Sequence, residues 1–278
     1  DFAKKSLIEK SLNNIKINCV IHASAYKHVN IVEKNIWASL YNNLFTTKNL
    51  IDYVKEKKIE NFLLISSDKA VEPENIMGLS KRVCELQVLV EAEKNLYEKN
   101  KTIFNIVRFG NVFRSSGSLV EIIDEKIKKK ETLEITDLSA KRYFMSIEEA
   151  SFLILDIIVN ESKIENLKIH VLDMGEEIIL NDFIINYINK RYSQRIKNLE
   201  DNNFIKIKII GLQKGEKLNE KLSSSKLLKS KFNKKILYEN QNKIPDKIKN
   251  KILILIDMLN DTNLTDENLI EELKNFKY

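Results

Sequence analysis

Two residues of opposite charge, Asp68 and Lys69, stand side by side in this sequence of 278 residues. They follow Ser67 at the end of a short apolar run, residues 62–65, which has the length of a buried strand. Opposite charges this close stabilise each other's ionised forms, and a carboxyl group and an amine at a strand end are candidates for acid–base chemistry. The residue types alone are equally those of a turn between a strand and a helix.

A second candidate group lies on the helical pattern that follows, where Met77 and Lys81 are four residues apart. This spacing places both side chains on one helix face. Lysine can hydrogen-bond a ligand, whereas methionine has no ionisable hydrogen and is by itself most often a core residue. Met77 therefore cannot act as an acid or a base.

Strand-length and helix-length patterns alternate through residues 1–115. Near-continuous apolar strands joined by helices of crossover length indicate an α/β fold with a doubly wound parallel sheet. Ligands of such sheets bind at the carboxyl ends of the strands, which is where Asp68 is found. The predicted strands cover 17–22, 62–65 and 103–109, and the predicted helices cover 4–15, 33–57 and 77–98.

The second half of the sequence has a more mixed pattern. Ser146, with Glu149 three residues later, is typical of a helix start, and Asn181 and Thr265 are further candidate caps. The predicted helices begin at 146 and 181 and cover 118–130, 247–260 and 265–276, and the predicted strands cover 133–136, 171–172 and 205–210.

Composition and charge argue against several classes of protein. The net charge is +6, with 46 basic and 40 acidic residues, and the lysine run at 126–130 contains no aromatic residue, so we predict a solvated helix face and no nucleic-acid partner. Cys19 and Cys84 are isolated and the three histidines form no metal-binding pair, so we predict neither a disulfide nor a metal site. No apolar stretch approaches the ~18 residues of a membrane span, and the first residues are not a signal peptide. We therefore expect a cytoplasmic protein.

Several collinear segments resemble one known family. They are similar to the polysaccharide-biosynthesis group of nucleotide-sugar 4,6-dehydratases, a branch of the extended short-chain dehydrogenases/reductases in which methionine replaces the tyrosine of the Tyr-x-x-x-Lys motif. The resemblance covers about residues 1–222. It extends over His-Ala-Ser-Ala-Tyr-Lys-His-Val at 22–29, Asn43 with Thr47, Met77 with Lys81, Val-Arg-Phe-Gly-Asn-Val at 107–112, Arg-Tyr-Phe-Met at 142–145, Leu-Asp-Met-Gly at 172–175 and the segment 211–218.

The resemblance implies a Rossmann-like fold, NAD as cofactor and a UDP-sugar as substrate. On residue type alone, Arg108 is as often a structural ion-pair residue as a ligand contact, and His22 is more often a buried, hydrogen-bonded histidine than a ligand contact. The residues with implied catalytic roles are Ser67, Asp68, Lys69, Met77 and Lys81. Those implied beside the cofactor are Asp1, His22, Ala23, Ala25, Asn43, Lys81 and Arg108, and those beside the substrate are Lys27, His28, Asn111, Arg142, Lys214 and Glu216.

The implied reaction is the 4,6-dehydration of UDP-N-acetylglucosamine or a similar sugar, for polysaccharide or glycan synthesis. It oxidises C4, removes water across C5 and C6, and returns the hydride to C6. Elimination next to a carbonyl requires an acid for the departing hydroxyl and a base for the C5 proton. The resemblance assigns both to Asp68 and Lys69 and leaves open which is which. Because Met77 cannot accept the 4-hydroxyl proton, Asp68 or a water must do so.

Two features depart from the family pattern. The dinucleotide fingerprint Gly-x-Gly-x-x-Gly is absent, since the first glycine of the sequence is Gly78. We therefore expect the first βαβ unit to be missing, with Asp1 just after it, and expect the chain alone to bind NAD weakly or not at all. Gln213 and Lys214 stand where the family has Arg-Pro, so a bidentate phosphate contact is replaced by a point charge.

The resemblance also implies how the chain is organised. Residues 1–135, with parts of 146–175, are expected to form the remainder of the dinucleotide-binding domain, and residues 136–278 the substrate lobe with a helical tail. We expect a homo-oligomer. Membrane attachment is expected only through transmembrane helices upstream, which would place the protein on the cytoplasmic face.

Two alternative functions stay open. A nucleotide-sugar 4-epimerase or reductase has the same fold, but epimerisation requires no elimination and so provides no role for the pair formed by Asp68 and Lys69. A catalytically inactive fragment is favoured by the absent fingerprint and by Gln213.

Overall fold

Strands and helices alternate in the first half of the chain, as predicted. The computed structural model describes residues 1–97, 102–161, 167–200 and 202–276. The strands are β1 (Cys19–His22), β2 (Asn61–Ile65), β3 (Ile103–Arg108), β4 (Asn111–Val112), β5 (Leu133–Ile135), β6 (Lys141–Arg142), β7 (Phe144–Met145), β8 (Lys168–Leu172), β9 (Ile178–Ile179), β10 (Ile207–Ile209), β11 (Leu228–Lys229) and β12 (Ile236–Asn240). The helices are α1 (Lys5–Leu12), α2 (Val29–Val32), α3 (Ile36–Leu40), α4 (Thr46–Glu56), α5 (Ile76–Tyr97), α6 (Leu119–Lys129), α7 (Ile147–Asp156), α8 (Leu180–Tyr192), α9 (Asp246–Met258) and α10 (Asp266–Lys274), with π turns at Tyr41–Phe45 and Ile157–Glu161.

A six-stranded sheet has the order β1-β2-β3-β8-β12-β11. Its first four strands are parallel, with Val20 opposite Phe62 and Phe62 opposite Phe104. β12 runs antiparallel to β8, and β11 antiparallel to β12. Apolar strands joined by helices pair in parallel, because each crossover helix returns the chain to the end of the sheet where the preceding strand began. The predicted α/β fold with a mainly parallel sheet is confirmed, whereas β11 and β12 are not among the predicted strands.

Helices α3, α4, α5, α9 and α10 share one apolar core with this sheet. Phe62 and Phe104 contribute rings whose centroids are 5.5 Å apart, and Leu89 of α5, Leu255 of α9 and Leu269 of α10 are buried in the same cluster. Burial of apolar side chains is the main favourable contribution to folding. It fixes α5 against the sheet. No helix within the described ranges is long and apolar enough to cross a membrane.

The chain forms two compact units. Unit 1 comprises Asp1–Arg108, Leu153–Asp173 and Lys221–Tyr278, and unit 2 comprises Phe109–Phe152 and Met174–Glu220. This division differs from the predicted boundary after residue 135. The helical tail belongs to unit 1, because α9 and α10 bury their apolar faces in the core of the six-stranded sheet. The ligand that each unit binds stays a prediction.

Unit 2 has an apolar core of its own. β5 pairs in parallel with β10, β4 in parallel with β7, and β6 antiparallel with β9. The rings of Phe113, Phe144 and Phe183 stack, the last two with centroids 4.2 Å apart. Ile123 of α6 and Ile184 of α8 are fully buried in the same cluster. Aromatic stacking and aliphatic burial together hold the short strands in place.

The single helix predicted over 33–57 is interrupted. The side-chain amide of Asn35 donates to the carbonyl of Ile31 (2.9 Å), and its backbone leaves the helical region at φ −140° and ψ 59°. Asparagine competes with the helix in this way because its short amide can bond nearby backbone groups. The helix begins again as α3 and passes through the first π turn into α4.

Two of the three candidate caps are confirmed. Ser146 Oγ accepts the Glu149 amide (3.0 Å), and Thr265 Oγ1 accepts the Asn268 amide (3.5 Å). Asn181 is not a cap, because α8 already begins at Leu180 and the Asn181 side chain donates to Asp182 instead.

Candidate active site

The segment after β2 forms a short turn that brings three predicted catalytic residues together. Ser66 still belongs to the sheet, since its amide donates to the Val107 carbonyl (2.8 Å). Ser67 then caps the 3-10 turn Asp68–Ala70: its Oγ accepts the Lys69 amide (3.2 Å) and donates to Asp68 Oδ1 (2.8 Å). The serine therefore fixes the orientation of the carboxylate beside it.

Asp68 is a buried carboxylate with one oxygen that accepts hydrogen bonds and one that has no partner among the described residues. Its side chain is 1% exposed, against 22% for Lys69. Oδ1 accepts hydrogen bonds from Ser67 Oγ and from Lys69 Nζ (3.0 Å). Oδ2 is buried and has no hydrogen-bond partner among the described residues. A buried oxygen without a partner is costly, and this one can accept a proton or a hydrogen bond from a ligand.

The first turn of α5 is fixed from two sides. Asn75 Oδ1 accepts the Gly78 amide (2.7 Å), and Glu33 Oε1, from just after α2, accepts the Ile76 amide (2.6 Å). A carboxylate at this position also interacts favourably with the positive end of the helix dipole. A Cβ on Gly78 would lie 2.3 Å from the Lys69 carbonyl oxygen, so only glycine permits this close approach. The helix start and the turn after β2 are therefore held together.

Met77, Lys81 and Glu85 lie at four-residue spacing on one face of α5, and all three are buried. Met77 is 2% exposed and packs into the apolar core. Lys81 Nζ donates to the carbonyl of Ile65, the last residue of β2, at 2.6 Å, and burial lowers the pKa of Lys81. The structure thus places the predicted lysine at the carboxyl end of the strand that precedes Asp68.

The guanidinium of Arg108, a predicted cofactor contact, is engaged inside the protein. Its Nε and Nη2 donate to Glu85 (2.6 and 2.7 Å), and its Nη1 donates to Glu239 of β12 (2.8 Å). The Arg108 side chain is 2% exposed. Its fork of donors is matched by two buried carboxylates, so Arg108 forms a buried ion-pair network, and its contact with a cofactor stays a prediction.

Glu85 is a buried residue of this region that the sequence reasoning missed. Burial raises the pKa of Glu85, but Arg108, Arg82 and Ser66 outweigh that effect and lower the pKa to about 2. The Ser66 hydroxyl donates to Glu85 Oε1 (2.6 Å), which ties the end of β2 to α5. The signal was available in the spacing, since Glu85 follows Lys81 by one helical turn.

His22 ends β1 as a buried, neutral histidine. Burial, with the nearby Lys81, lowers its pKa to about 3. The Ser24 amide donates to Nδ1 (3.3 Å), so the hydrogen-bond network assigns the ring proton to Nε2, which donates to Thr47 Oγ1 (2.9 Å). The Thr47 hydroxyl donates in turn to the carbonyl of Asn43 (2.8 Å). The network holds the carboxyl end of β1 against α4.

Asn43 lies in the first π turn and joins the loop after β1 to α5. Its Oδ1 accepts the Tyr26 amide (2.7 Å), and its Nδ2 donates to the Tyr26 carbonyl (3.2 Å) and to Ser80 Oγ (3.0 Å). π turns frequently occur at functional sites, where they redirect a side chain. Asn43 shapes the site through these contacts, and its direct contact with a cofactor stays a prediction.

The other predicted residues of unit 1 lie on the surface. Asp1 is exposed and accepts the Ala3 amide (3.1 Å). The loop after β1 leaves Ala23, Lys27 and His28 exposed and Ala25 half-buried. These positions are open to a ligand.

Four predicted substrate residues belong to unit 2, which brings Arg142 next to the segment that contains Glu216. Arg142 Nη1 donates to the Leu218 carbonyl (2.8 Å) and Nη2 to the Lys217 carbonyl (2.8 Å). Glu216 Oε2 accepts the Gln213 amide (3.1 Å). The remaining two are Lys214 and Asn111. Lys214 is exposed, and the backbone N–H of Asn111 donates to the Tyr143 carbonyl (3.0 Å).

Acid–base chemistry is what the groups of unit 1 can perform. Asp68 offers a buried carboxylate oxygen without a hydrogen-bond partner among the described residues, beside the Lys69 side chain, and Lys81 offers a buried amine at the same strand end. In the described ranges, no cluster of three or more His, Cys, Asp or Glu side chains could hold a metal ion.

Comparison with known proteins places the chain in a family. Residues 1–241 match the sequence model of the family described as Polysaccharide biosynthesis protein. The chain is 35% identical over 274 residues to the capsular polysaccharide biosynthesis protein CapD of Staphylococcus aureus, covering 98% of this chain and 42% of the relative. It is 32% identical over 212 residues to the UDP-N-acetylglucosamine 4,6-dehydratase (inverting) of Campylobacter jejuni, covering 75% of this chain and 57% of the relative. The chain therefore spans about half the length of these relatives.

Among solved structures, the X-ray structure of Pen from Bacillus thuringiensis is similar to this chain. The TM-score is 0.71 at 27% sequence identity, and the match covers 95% of this chain and 81% of that one. The resemblance and the Rossmann-like fold that the sequence motifs predict are confirmed by these matches.

Proposed function

Because the chain belongs to this family of polysaccharide biosynthesis proteins, we propose that it carries the acid–base site of an NAD-dependent nucleotide-sugar 4,6-dehydratase acting on UDP-N-acetylglucosamine. The observation that carries the proposal is the buried, unpartnered Oδ2 of Asp68. The similarity to the UDP-N-acetylglucosamine 4,6-dehydratase of Campylobacter jejuni supports the choice of sugar.

The residues present fit the nicotinamide end of NAD. One N–H of the Lys81 side-chain amine donates to the Ile65 carbonyl, so its other N–H groups can hold the hydroxyls of a ribose. His22 lies at the end of the neighbouring strand β1 and, being neutral, adds no positive charge there. NAD, when bound, supplies the acceptor for the C4 hydride and returns that hydride to C6 within one turnover.

Asp68 takes the proton of the 4-hydroxyl group. Met77 occupies the family's tyrosine position and has no proton to exchange. Ser67 and Lys69 both hold Oδ1 of Asp68, so the carboxylate cannot rotate freely and Oδ2 is left to accept the proton. Positioned acid–base groups of this kind typically contribute about 10²–10⁴-fold to a rate.

The same pair serves the elimination. The C5 proton and the C6 hydroxyl leave as one water, so one group must remove the C5 proton and another must protonate the departing hydroxyl. When the hydride returns to C6, C5 takes back one proton, which balances the proton taken from the 4-hydroxyl and restores the starting protonation of the pair. Asp68 Oδ1 and Lys69 Nζ are 3.0 Å apart, within the range of direct proton exchange. Lys69 is the more exposed of the two and can reach a ligand from the turn.

Mass analysis of the product tests the proposal. Incubation of the protein, joined to an upstream segment that carries the Gly-x-Gly-x-x-Gly fingerprint, with UDP-N-acetylglucosamine and NAD should yield a product lighter by one water, whereas the chain alone should yield little or none. Asp68→Asn keeps the side-chain shape but cannot accept the proton, so the rate should fall at least about 10²-fold. Asp257→Asn, at an exposed position of α9, is the matched control and should leave the rate unchanged.

Each other outcome has a definite meaning. A normal rate for Asp68→Asn would refute the role of that carboxylate. An unchanged mass with inversion at C4 would identify the 4-epimerase alternative, and an unchanged substrate would reject this sugar.

A further inference from the structure

Glu72, in the loop between the turn after β2 and helix α5, has a left-handed backbone. Its φ is 45°, in a region that residues with a Cβ seldom adopt. The next residue is Pro73, and proline pushes the residue before it towards extended conformations with φ of about −120°. The backbone at Glu72 is therefore strained for two independent reasons.

Helix termination does not account for this strain. Lys58, Lys130 and Ser193 also have positive φ, but each lies within two residues of the end of an α-helix, where a left-handed residue is common. Glu72 instead follows Val71, whose backbone is extended (φ −86°, ψ 122°).

The ion pair between Glu72 and Lys221 does not account for the strain either. The carboxylate and the Lys221 ammonium are 2.8 Å apart, and their side chains are 51% and 60% exposed. Exposed ion pairs contribute little to stability. The residues on both sides are buried, namely Ala70 and Val71 before Glu72 and Pro73 after it. Strained conformations persist where the surrounding structure fixes them in this way.

The reversal of the chain at Glu72 brings two backbone segments together. Lys69 and Gly78 are nine positions apart in sequence, yet a Cβ on Gly78 would lie 2.3 Å from the Lys69 carbonyl oxygen. Glu72 lies between them, where the chain leaves the turn and returns towards α5. An extended residue spans up to about 3.3–3.6 Å, so an extended backbone at Glu72 would move the Lys69 carbonyl away from Gly78.

We propose that Glu72 is a positioning residue, whose left-handed backbone holds Asp68 and Lys69 in their acid–base geometry. The inference rests on the proposed function, because it takes these two residues as the acid and the base of the dehydration. Asp68 Oδ1 and Lys69 Nζ are 3.0 Å apart, and their separation depends on the backbone of the turn. A misplacement of about 1 Å can lower an enzymatic rate by about 10²-fold.

Glu72→Asn and Glu72→Gln separate the backbone from the carboxylate. Both variants carry an amide in place of the carboxylate, but only asparagine adopts the left-handed region readily. The Tm of Glu72→Asn should therefore exceed that of Glu72→Gln by about 2–4 °C. At Glu74, which is exposed and has no positive φ, the same two substitutions should give equal Tm values. Equal Tm values for the two Glu72 variants would remove the strain on which the inference depends.

Glu72→Val tests the catalytic consequence in the protein joined to the upstream segment that carries the fingerprint. A β-branched residue is strongly disfavoured at positive φ, so the reversal should open. The value of kcat should then fall at least about tenfold, while the KM for the sugar nucleotide stays within about twofold. Glu72→Asn, Glu72→Gln and the matched control Glu74→Val should keep the wild-type kcat. A normal kcat in Glu72→Val, or a Glu72→Gln protein that is equally slow, would overturn the positioning role.

Amide hydrogen exchange reports the same reversal without turnover. The Val71 amide donates to the Asp68 carbonyl (3.1 Å), and the Gly78 amide donates to Asn75 Oδ1 (2.7 Å). Both amides should exchange at least about tenfold faster in Glu72→Val and at the wild-type rate in Glu72→Asn.

The two readouts distinguish the possible failures. Faster exchange with a normal kcat would reject the positioning role and leave the proposed dehydratase intact. Unchanged exchange at both amides would show that the reversal does not depend on the backbone at Glu72. A wild-type protein that releases no dehydrated product would instead reject the proposed function, and the inference would fail with it.

Discussion

Gly78, in the first turn of α5, lies directly against the main-chain carbonyl of Lys69. A Cβ added to Gly78 would be 2.3 Å from that oxygen, a separation that real Cβ atoms do not adopt. The helix that carries Met77 and Lys81 therefore approaches the acid–base turn as closely as a backbone can. Because Gly78 has no side chain, the start of α5 can pack directly against the turn that contains Asp68 and Lys69.

Gly78→Ala should destabilise the protein. Helix propensity alone would make alanine more stable by about 0.5–1 kcal/mol, but the overlap with a backbone oxygen should reverse the sign and cost about 1–3 kcal/mol. Urea unfolding measures the difference. Gly175→Ala is the comparison, since it meets nothing within 4 Å and has φ +71°, which costs only about 1–2 kcal/mol through the left-handed backbone. A more stable Gly78→Ala protein would contradict the close approach.

Met77→Leu should keep most of the catalytic rate, because the methionine takes no part in proton transfer. The two side chains are similar in volume, so the loss of stability should stay below about 1.5 kcal/mol. Lys81→Met at the next turn of the same face should instead lower kcat and raise the KM for NAD. Steady-state kinetics of both variants separate these expectations. A rate that falls as far in Met77→Leu as in Lys81→Met would assign the thioether a role in the reaction.

His22 should make stability depend on pH just below neutrality. Its pKa is about 3 in the folded protein, against an ordinary value of 6.5, because burial disfavours the charged ring. Below pH 6.5 the unfolded chain binds a proton that the folded chain does not, so the free energy of unfolding should fall as the pH falls from 6.5 to 5. The limiting slope is about 1.4 kcal/mol per pH unit.

Denaturant unfolding between pH 6.5 and 5 measures how steeply the free energy of unfolding falls with pH. The fall should be smaller in His22→Gln than in the wild type, because the variant lacks the ring that takes up a proton on unfolding. His28→Gln, at an exposed position, should show the same fall as the wild type. Equal slopes for the wild type and His22→Gln would show that the ring is not buried in its neutral form.

Glu85 should contribute stability that disappears in acid. Its pKa of about 2 lies below the ordinary 4.5, so its contribution is complete above pH 4.5 and is lost as the pH falls towards 2. Glu85→Gln leaves Arg108 with one buried carboxylate fewer and should cost about 3–5 kcal/mol at pH 7. The difference in the free energy of unfolding between the wild type and Glu85→Gln should be smaller at pH 3 than at pH 7. Glu267→Gln, at an exposed position, should show neither effect, and a gap that does not change with pH would count against the ion pair.

Local pattern in the sequence was sufficient to predict β1, β2, β3 and α5. Burial on both faces of a strand leaves a continuous apolar run, and burial of one helix face leaves a period of three to four residues. The position of Asp68 after such a run also predicted a polar site, because ligands of parallel sheets bind at the carboxyl ends of the strands. The collinear motifs identified the family for the same reason: they are contiguous in the chain.

The tertiary structure alone decided which partner each charged or polar group has. Arg108 pairs with Glu239, which is 131 positions away along the chain, and β12 joins the sheet beside β8 although no local pattern singled it out. Likewise, only the tertiary structure shows that Asp68 Oδ2 and the Gln87 side-chain amide are buried without a hydrogen-bond partner among the described residues. A side chain's own neighbours in sequence determine its helix or strand, but whether its polar atoms are satisfied depends on every segment that packs against it.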